Sequence, residues 1–217
     1  MTSILLDRNI VGEIMLFDIV ILPPDKLRQK LGAKMKRALQ GVPHFLVIDN
    51  DKLIPHLSLF HLKIAKKRVP DLFSTVERIA KRHSPMPIQS TGTKFSPTGS
   101  GFVFHTLSKP EILVKLHKEV IKKCHQLRTD AVPWNLKTLI TGRKKIYRQK
   151  YGSHHILKNF HPHLTMARLK KPDDAAQVLK KMKMNFKFTA GEIYVCEVNN
   201  WLQVFKVLKR FKLDAKS

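Results

Sequence analysis

Residues 55–59 have the sequence PHLSL, and residues 162–166 repeat the same pattern as PHLTM. In each segment a histidine follows a proline, and a hydroxyl residue stands two positions after the histidine. Side chains alternate between the two faces of a β-strand, so the histidine and the hydroxyl share one face while the apolar residues face a core. Each segment is therefore predicted to be a strand that presents a pair of polar side chains, His56 with Ser58 and His163 with Thr165.

The sequence around each motif predicts the same order of elements. Residues 53–107 predict strand, helix, strand, strand, and so do residues 161–211. This points to an internal duplication with a pseudo-twofold axis, which would place the two polar pairs opposite each other across one cleft. The individual predictions are strands at residues 14–22, 44–49, 53–61, 86–95, 101–107, 161–168, 186–198 and 201–211, and helices at 27–39, 72–80, 110–127, 143–151 and from 172 onward.

The mixture of strands and helices predicts the fold class α+β, because it lacks the regular strand–helix alternation of a parallel sheet. We expect a duplicated, bilobal fold in which two antiparallel sheets face a central cleft and the helices lie outside. No linker or low-complexity tract interrupts the sequence, so residues 1–217 are predicted to form a single domain of two pseudo-symmetric lobes. Asn50 and Asp51, between two strand-like segments, predict a hairpin turn.

Two histidines and two hydroxyls that face one cleft suit the hydrolysis of a phosphodiester without a metal. Histidine titrates near neutral pH, so one imidazole can take the proton of an attacking water molecule while the other, protonated, gives a proton to the departing oxygen. The hydroxyls can donate hydrogen bonds to the non-bridging phosphate oxygens and so stabilise the charge of the transition state. These steps require no cofactor.

The paired motifs, each at the start of a strand–helix–strand–strand unit, resemble those of the 2H phosphoesterase superfamily. This superfamily includes the RNA 2′,3′-cyclic phosphodiesterases, also known as 2′-5′ RNA ligases, and the 2′,5′-phosphodiesterases. The resemblance covers roughly residues 14–212. A single His-x-Ser-x pattern often arises by chance, whereas two such patterns in matching apolar strands are a specific signal.

The resemblance implies a role for each of the four polar residues. His56 matches the first-motif histidine, which is the proton donor in the cyclic phosphodiesterases, and His163 matches the second, the proton acceptor that activates water. Ser58 and Thr165 match the hydroxyls that bind the substrate phosphate. The implied reaction is metal-independent hydrolysis of a 2′,3′-cyclic phosphate or another 2′-linked phosphodiester of RNA. The alternatives are a protein of this fold that binds or ligates RNA with weak hydrolysis, a 2′,5′-oligoadenylate phosphodiesterase, and an enzyme for a nucleotide-derived cyclic phosphate.

The composition favours a polyanionic partner. The chain has 41 Lys and Arg against 16 Asp and Glu, a formal net charge of +25, and a cationic surface gains free energy by releasing the counterions of nucleic acid. We therefore expect RNA or an oligonucleotide to bind a monomeric protein. The cluster that would extend the cleft lies just before the second motif and contains Arg143, Lys144, Lys145, Arg148 and Lys150. The alternative for this cluster is a mobile basic loop without a role in catalysis.

Further aromatic and histidine residues leave alternatives open. Phe60 follows Ser58 at the strand period, so it either lines the cleft, where it would stack on a base, or packs in the core. The histidines that precede the second motif suggest a zinc site, although no cysteine or carboxylate accompanies them at a usual spacing. These residues are His154, His155 and His161. Our preferred interpretation has no metal and assigns His163 to catalysis.

The remaining features concern the cellular location. Cys124 and Cys196 lie in apolar segments and have no metal-ligand spacing, which predicts buried thiols in a reducing compartment. No segment has the ~18 consecutive apolar residues of a membrane helix. Charged residues interrupt the N-terminal segment, so a signal peptide is not predicted. We therefore expect a cytoplasmic protein that does not bind membranes.

Overall fold

The computed structural model describes residues 13–96, 101–133 and 139–214. These residues form nine strands, all paired antiparallel in two sheets, and five α-helices, which confirms the predicted α+β class. The first sheet contains, in spatial order, β3 (Leu57–Ala65), β1 (Ile14–Ile21), β8 (Glu192–Val198) and β9 (Val204–Lys212). The second sheet contains β2 (His44–Val47), β6 (His163–Leu169), β5 (Phe102–Leu107), β4 (Met86–Phe95) and β7 (Lys187–Ala190). The helices are α1 (Asp25–Ala38), α2 (Val69–Ala80), α3 (Glu111–Cys124), α4 (Gly142–Tyr151) and α5 (Ala175–Met182).

Four of the helices cover the outer faces of the two sheets. α2 and α3 contact strands of the first sheet, and α1 and α5 contact strands of the second. The two faces of β1 contact different parts of the structure. Phe17, Ile19 and Ile21 are fully buried in the main apolar core, whereas the alternate residues Asp18 and Val20 lie on the opposite face, toward the cleft.

The predicted hairpin at Asn50–Asp51 is wrong. A turn forms there, in which the amide of Asn50 donates a hydrogen bond to the carbonyl of Leu53, but the flanking strands β2 and β3 do not pair with each other. β2 pairs with β6 in the second sheet, and β3 pairs with β1 in the first. After the turn the amide of Ile54 donates to the carbonyl of Val204, so the chain crosses to the first sheet before β3 begins.

The predicted strand at residues 186–198 is in fact two strands. The chain changes sheets at Gly191: β7 pairs with β4 in the second sheet, and β8 pairs with β1 and β9 in the first. Each sheet therefore combines strands from both motif units. β3 of the first unit lies in the same sheet as β8 and β9 of the second, and β6 of the second unit lies beside β5 of the first.

Other sequence predictions on helices and cysteines are confirmed. The short basic helix predicted at 143–151 forms as α4, and Gly152 ends it in the left-handed conformation, with φ of 78°. Cys124 and Cys196 are both buried and free, and burial raises the pKa of Cys124 to about 12. Such a thiol stays protonated and is a poor nucleophile. In the described ranges, none of the helices is long and apolar enough to cross a membrane.

Candidate active site

Both motif strands contain one extra residue at the same position of the motif. In the β1–β3 ladder the residues on either side of Leu59 pair with adjacent residues of β1. In the β5–β6 ladder the residues on either side of Met166 pair with adjacent residues of β5. A β-bulge of this kind shifts the alternation of side chains by one residue. The equivalent bulges support the internal duplication that the motifs predict.

The first bulge decides between the two alternatives for Phe60. With regular alternation Phe60 would face the cleft, but it is 1% exposed and belongs to the main core. The base-stacking alternative for Phe60 is therefore wrong. His61 instead returns to the cleft face, and Arg168 has the same position after the second bulge. Neither residue was predicted to face the cleft, because a strand with regular alternation would turn both toward the core.

The imidazole of His56 is oriented by its own backbone. Its Nδ1 atom lies 2.7 Å from the carbonyl oxygen of Ile54, and because a carbonyl only accepts, Nδ1 must carry a hydrogen and donate it. Nε2 is therefore the atom that can exchange a proton with another molecule. The residue is 4% exposed, and this burial lowers the pKa of His56 below the ordinary value of histidine.

His163 repeats this arrangement on the other side of the cleft. Its Nδ1 atom lies 2.7 Å from the carbonyl oxygen of His161, so again Nδ1 donates and Nε2 is available. Burial also lowers the pKa of His163, and its ring lies 5.0 Å from the ring of Phe104. β3 and β6 approach each other, and the charge of His163 reaches His56, whose pKa it lowers further. The fold thus brings the two motif histidines together.

The two motif hydroxyls lie next to these histidines. Ser58 and Thr165 are half-buried. Ser58 is paired with Val20, which belongs to a small apolar cluster on the cleft face of the first sheet. Thr165 is paired with Phe104, the ring that contacts His163. Their binding to a phosphate stays a prediction.

A buried carboxylate that the sequence analysis did not consider lies beside His56. Asp18 is fully buried, and its Oδ2 atom lies 3.1 Å from Nε2 of His61 and 3.8 Å from Nε2 of His56. Burial lowers the pKa of His61, but the nearby negative charge of Asp18 outweighs it, so the pKa of His61 is raised. The sequence contained an indication of this group, because Asp18 lies within the apolar strand predicted at residues 14–22. An aspartate in such a strand is rarely buried without a partner.

Three aromatic rings surround Arg168 on the second sheet and form what we call the aromatic platform. The Cζ atom of Arg168 lies 4.6 Å from the ring centre of Trp201, 4.9 Å from that of Phe45 and 5.5 Å from that of Phe102. Phe45 is 61% exposed and Trp201 is 40% exposed, so both rings can be reached from solvent. The sequence did not indicate this group, because its members come from β2, β5 and the turn between β8 and β9.

The basic helix α4 lies near the histidines of the cleft. None of its residues is buried. Burial lowers the pKa of His154, and the charges of Arg148 and Lys144 on α4 lower it further. His155 is also close enough to His163 for the charges to interact. A cavity of about 840 Å³ runs along α4 and is lined by Arg128, Lys145 and Arg148, among others.

The histidines before the second motif do not form a metal site in the part of the chain that the structure describes. There, no three His, Cys, Asp or Glu side chains are grouped so that they could hold a metal ion. The rings of His154 and His155 contact each other, with their centres 4.1 Å apart. The zinc alternative therefore has no structural support, and the independence of the reaction from metal stays a prediction.

Comparison with known proteins identifies related folds. The protein TT0787 of Thermus thermophilus is 17% identical, with a TM-score of 0.60 over 94% of this chain and 100% of its own. LigT of E. coli in its apo form is 15% identical, with a TM-score of 0.59 over 93% of this chain and 99% of its own. LigT has also been solved in complexes with 3′-AMP, ATP and NADP+. No curated protein matches the chain.

A comparison with protein families matches residues 23–200 to the 2′-5′ RNA ligase superfamily. The matched region includes both motifs, both bulges and strands of both sheets. This agrees with the resemblance to the 2H phosphoesterases that the motifs carry, and with the fold shared with TT0787 and LigT. The chain therefore belongs to the 2′-5′ RNA ligase superfamily of 2H phosphoesterases.

Proposed function

We propose that the chain hydrolyses a 2′,3′-cyclic phosphate, or another 2′-linked phosphodiester, at the end of an RNA or oligonucleotide. The observation that carries this proposal is the matched orientation of the two motif histidines. Each donates its Nδ1 hydrogen to the carbonyl two residues earlier, which leaves both Nε2 atoms for proton transfer. Membership of a superfamily of phosphoesterases and ligases is consistent with this chemistry.

The proposed reaction is a single displacement at phosphorus. Nε2 of His163 takes a proton from a water molecule as its oxygen attacks the phosphorus atom. The bond to the ribose oxygen breaks, and Nε2 of His56 gives its proton to that oxygen. Ser58 and Thr165 donate hydrogen bonds to the non-bridging oxygens, where negative charge increases in the transition state. One water molecule is consumed, and the product is a phosphomonoester.

The aromatic platform supports a nucleotide substrate. Exposed aromatic rings beside a cation are suited to stack on a base of single-stranded nucleic acid, and Arg168 supplies the positive charge among these rings. Arg168 is five residues from His163 in the same strand, so the platform and the proposed catalytic centre share one cleft. The nucleotide complexes of LigT are consistent with a substrate of this class.

The alternative functions use the same cleft on other substrates. The exposed cations of α4 favour an RNA-binding or RNA-ligating protein with weak hydrolysis as the second candidate. Product analysis separates the candidates. The protein is incubated with RNA that ends in a 2′,3′-cyclic phosphate, with 2′,5′-oligoadenylate and with cyclic mononucleotides. Rapid conversion of the first substrate to a phosphomonoester supports our proposal, and ligation or cleavage of oligoadenylate alone contradicts it.

We expect His56→Ala and His163→Ala each to reduce kcat by about 10²–10⁴-fold, because each removes one proton-transfer group. Ser58→Ala and Thr165→Ala should have smaller effects, since each removes one hydrogen bond to phosphate. His44→Ala is the control, because His44 also donates its Nδ1 hydrogen to a carbonyl two residues earlier but lies outside the motifs. Near wild-type turnover in either motif-histidine variant would contradict the assignment.

The pH dependence of kcat/KM should be bell-shaped, and activity should persist in a chelator. Activity falls at low pH when the base becomes protonated and at high pH when the acid loses its proton. Burial lowers the pKa of both His56 and His163, so both limbs should lie at lower pH than for unperturbed histidines, whose pKa is about 6.5. Complete loss of activity in chelator, restored by zinc, would instead indicate a metal-dependent reaction.

Removal of the platform rings should weaken the binding of substrates that carry a base. Stacking on an aromatic ring contributes about 1–3 kcal/mol per base, so Trp201→Ala and Phe45→Ala should lower kcat/KM for a nucleoside 2′,3′-cyclic phosphate by roughly 5–150-fold. Turnover of a ribose 2′,3′-cyclic phosphate without a base should change little. Phe205→Ala, which removes an exposed ring of β9, is the matched control. Equal losses on both substrates would rule out base stacking.

Neutralising the cations of α4 should weaken the binding of single-stranded RNA and reduce its dependence on salt, because fewer counterions are released. The variant replaces Arg143, Lys144, Lys145, Arg148 and Lys150 with glutamine. Turnover of a cyclic mononucleotide should stay the same, since it needs only the cleft. The control removes the same number of exposed cations from α3 and α5, at Lys118, Lys122, Lys123, Lys180 and Lys181. Unchanged RNA affinity in the α4 variant would place the RNA on another surface.

A further inference from the structure

The two motif histidines have similar backbones but different electrostatic surroundings. The residue that follows the first bulge is His61, which is paired with Asp18 across the β1–β3 ladder. The residue at the same position after the second bulge is Arg168, which lies among aromatic rings. A carboxylate therefore stands 3.8 Å from Nε2 of His56. The groups that shift the pKa of His163, apart from burial, are other histidines and a backbone carbonyl.

Among the described residues, the Asp18 carboxylate lacks the hydrogen bonds that usually stabilise a buried negative charge. It is fully buried, and neither its Oδ1 nor its Oδ2 atom has a hydrogen-bond partner of ordinary geometry within the described part of the chain. A buried carboxylate charge is costly unless a positively charged group lies beside it. In the described ranges, the basic groups that lie within 4 Å of Asp18 are the Nε2 atoms of His61 and His56. Asp18 thus favours protonated imidazoles on the first-motif side of the cleft.

We propose that Asp18 and His61 are positioning residues that assign the proton-donor role to His56, with Asp18 holding the proton on His56 Nε2 and His61 holding Asp18. The inference rests on the proposed function, because it concerns which histidine gives the proton to the departing oxygen. The distance of 3.8 Å is too long for a hydrogen bond. Asp18 therefore acts through its charge, and the Nε2 hydrogen of His56 remains free to point at the substrate.

The proton balance of the reaction agrees with this assignment. Before reaction, His56 carries hydrogens on both ring nitrogens, and His163 carries one on Nδ1 only. After water has attacked and the ribose oxygen has left, His163 is doubly protonated and His56 is neutral. Exchange with solvent restores the initial state. His61 retains its hydrogen toward Asp18 throughout, so the carboxylate does not take the proton that His56 must deliver.

Other charged groups also face this site. Protonated His61 and His163 repel a proton on His56, in opposition to Asp18. His154 and His155 face His61 from the segment after α4. Asp18 also faces the Cys196 thiol on β8, whose pKa is raised by burial and by the carboxylate. The charges of Asp18 and His61 therefore have opposite effects on the pKa of His56, and removing one of them should shift this pKa in the direction opposite to removing the other.

The first test measures the protonation of His56 directly, by NMR titration of the histidine rings, with the signal of His56 assigned through its loss in His56→Ala. In Asp18→Asn the pKa of His56 should fall by about 1–3 pH units, the usual effect of an opposite charge at this range. In His61→Gln it should rise, because the amide can still donate to Asp18 but carries no positive charge. The signal of His163 should move less in both variants. Asp25→Asn, at an exposed carboxylate of α1, is the control.

The second test separates proton donation from a purely structural role. With a 2′,3′-cyclic phosphate, the alkaline limb of the pH profile should move to lower pH in Asp18→Asn and to higher pH in His61→Gln. With a nitrophenyl phosphodiester, whose leaving group departs without a proton, Asp18→Asn should retain nearly wild-type turnover. Shifts of both variants in one direction, or equal losses on both substrates, would overturn the inference. If Asp18→Asn and His61→Gln show the expected changes in the pKa of His56 but the wild-type protein hydrolyses no phosphodiester, the proposed function is refuted.

Discussion

The insertion of one residue into each motif strand, Leu59 in β3 and Met166 in β6, is the constraint on which the cleft depends. A strand with regular alternation would present every second residue to the cleft, and the fifth position after each histidine would face the core. Because of the bulges this fifth position faces the cleft instead, so His61 and Arg168 lie on the same face as the two motif pairs. A bulge also bends and twists its strand, which helps two sheets to diverge from the line where β3 and β6 meet.

The cleft is built jointly by the two motif units. His56 lies immediately before β3 of the first sheet, and His163 begins β6 of the second, but β4 and β5 of the first unit lie in the sheet of β6. In the same way β8 and β9 of the second unit complete the sheet of β3. Neither unit therefore forms a sheet with only its own strands. The duplication gives similar backbone geometry at both histidines, while residues outside the motifs make the two sides chemically different.

The sequence predicted those features that depend on local pattern. The continuous apolar run of residues 14–22 predicted a buried strand, and the apolar stripe of residues 110–127 predicted a helix with one buried face, so β1 and α3 were found within a few residues. The hairpin at Asn50–Asp51 failed because a turn does not determine which strand its neighbours will pair with. That choice depends on contacts of residues distant in sequence, such as the hydrogen bond between Ile54 and Val204. The change of sheet at Gly191 was missed for the same reason.

The residues of the candidate site were likewise predictable where they depend on local pattern and not where they depend on tertiary packing. Both motif histidines and both hydroxyls could be named from the repeated pattern, although the strand predicted at residues 53–61 begins only at Leu57, one residue after His56. Phe60 and His61 could not be placed, because a bulge has no clear sequence signature in this strand. The platform of Phe45, Phe102 and Trp201 also depends on tertiary packing, since three separate segments meet at Arg168.

The pairing of β1 with β8 has a consequence for how the molecule folds. Phe17 stands opposite Glu197 in this ladder, so the pairing joins two segments that are far apart in the sequence. Contacts between residues so distant in sequence close a long loop and slow folding. During synthesis β1 can pair with β3 early, but its other edge stays open until β8 has emerged from the ribosome. An unpaired apolar strand edge is prone to aggregation, and this edge of β1 stays open while the residues between β1 and β8 are synthesised.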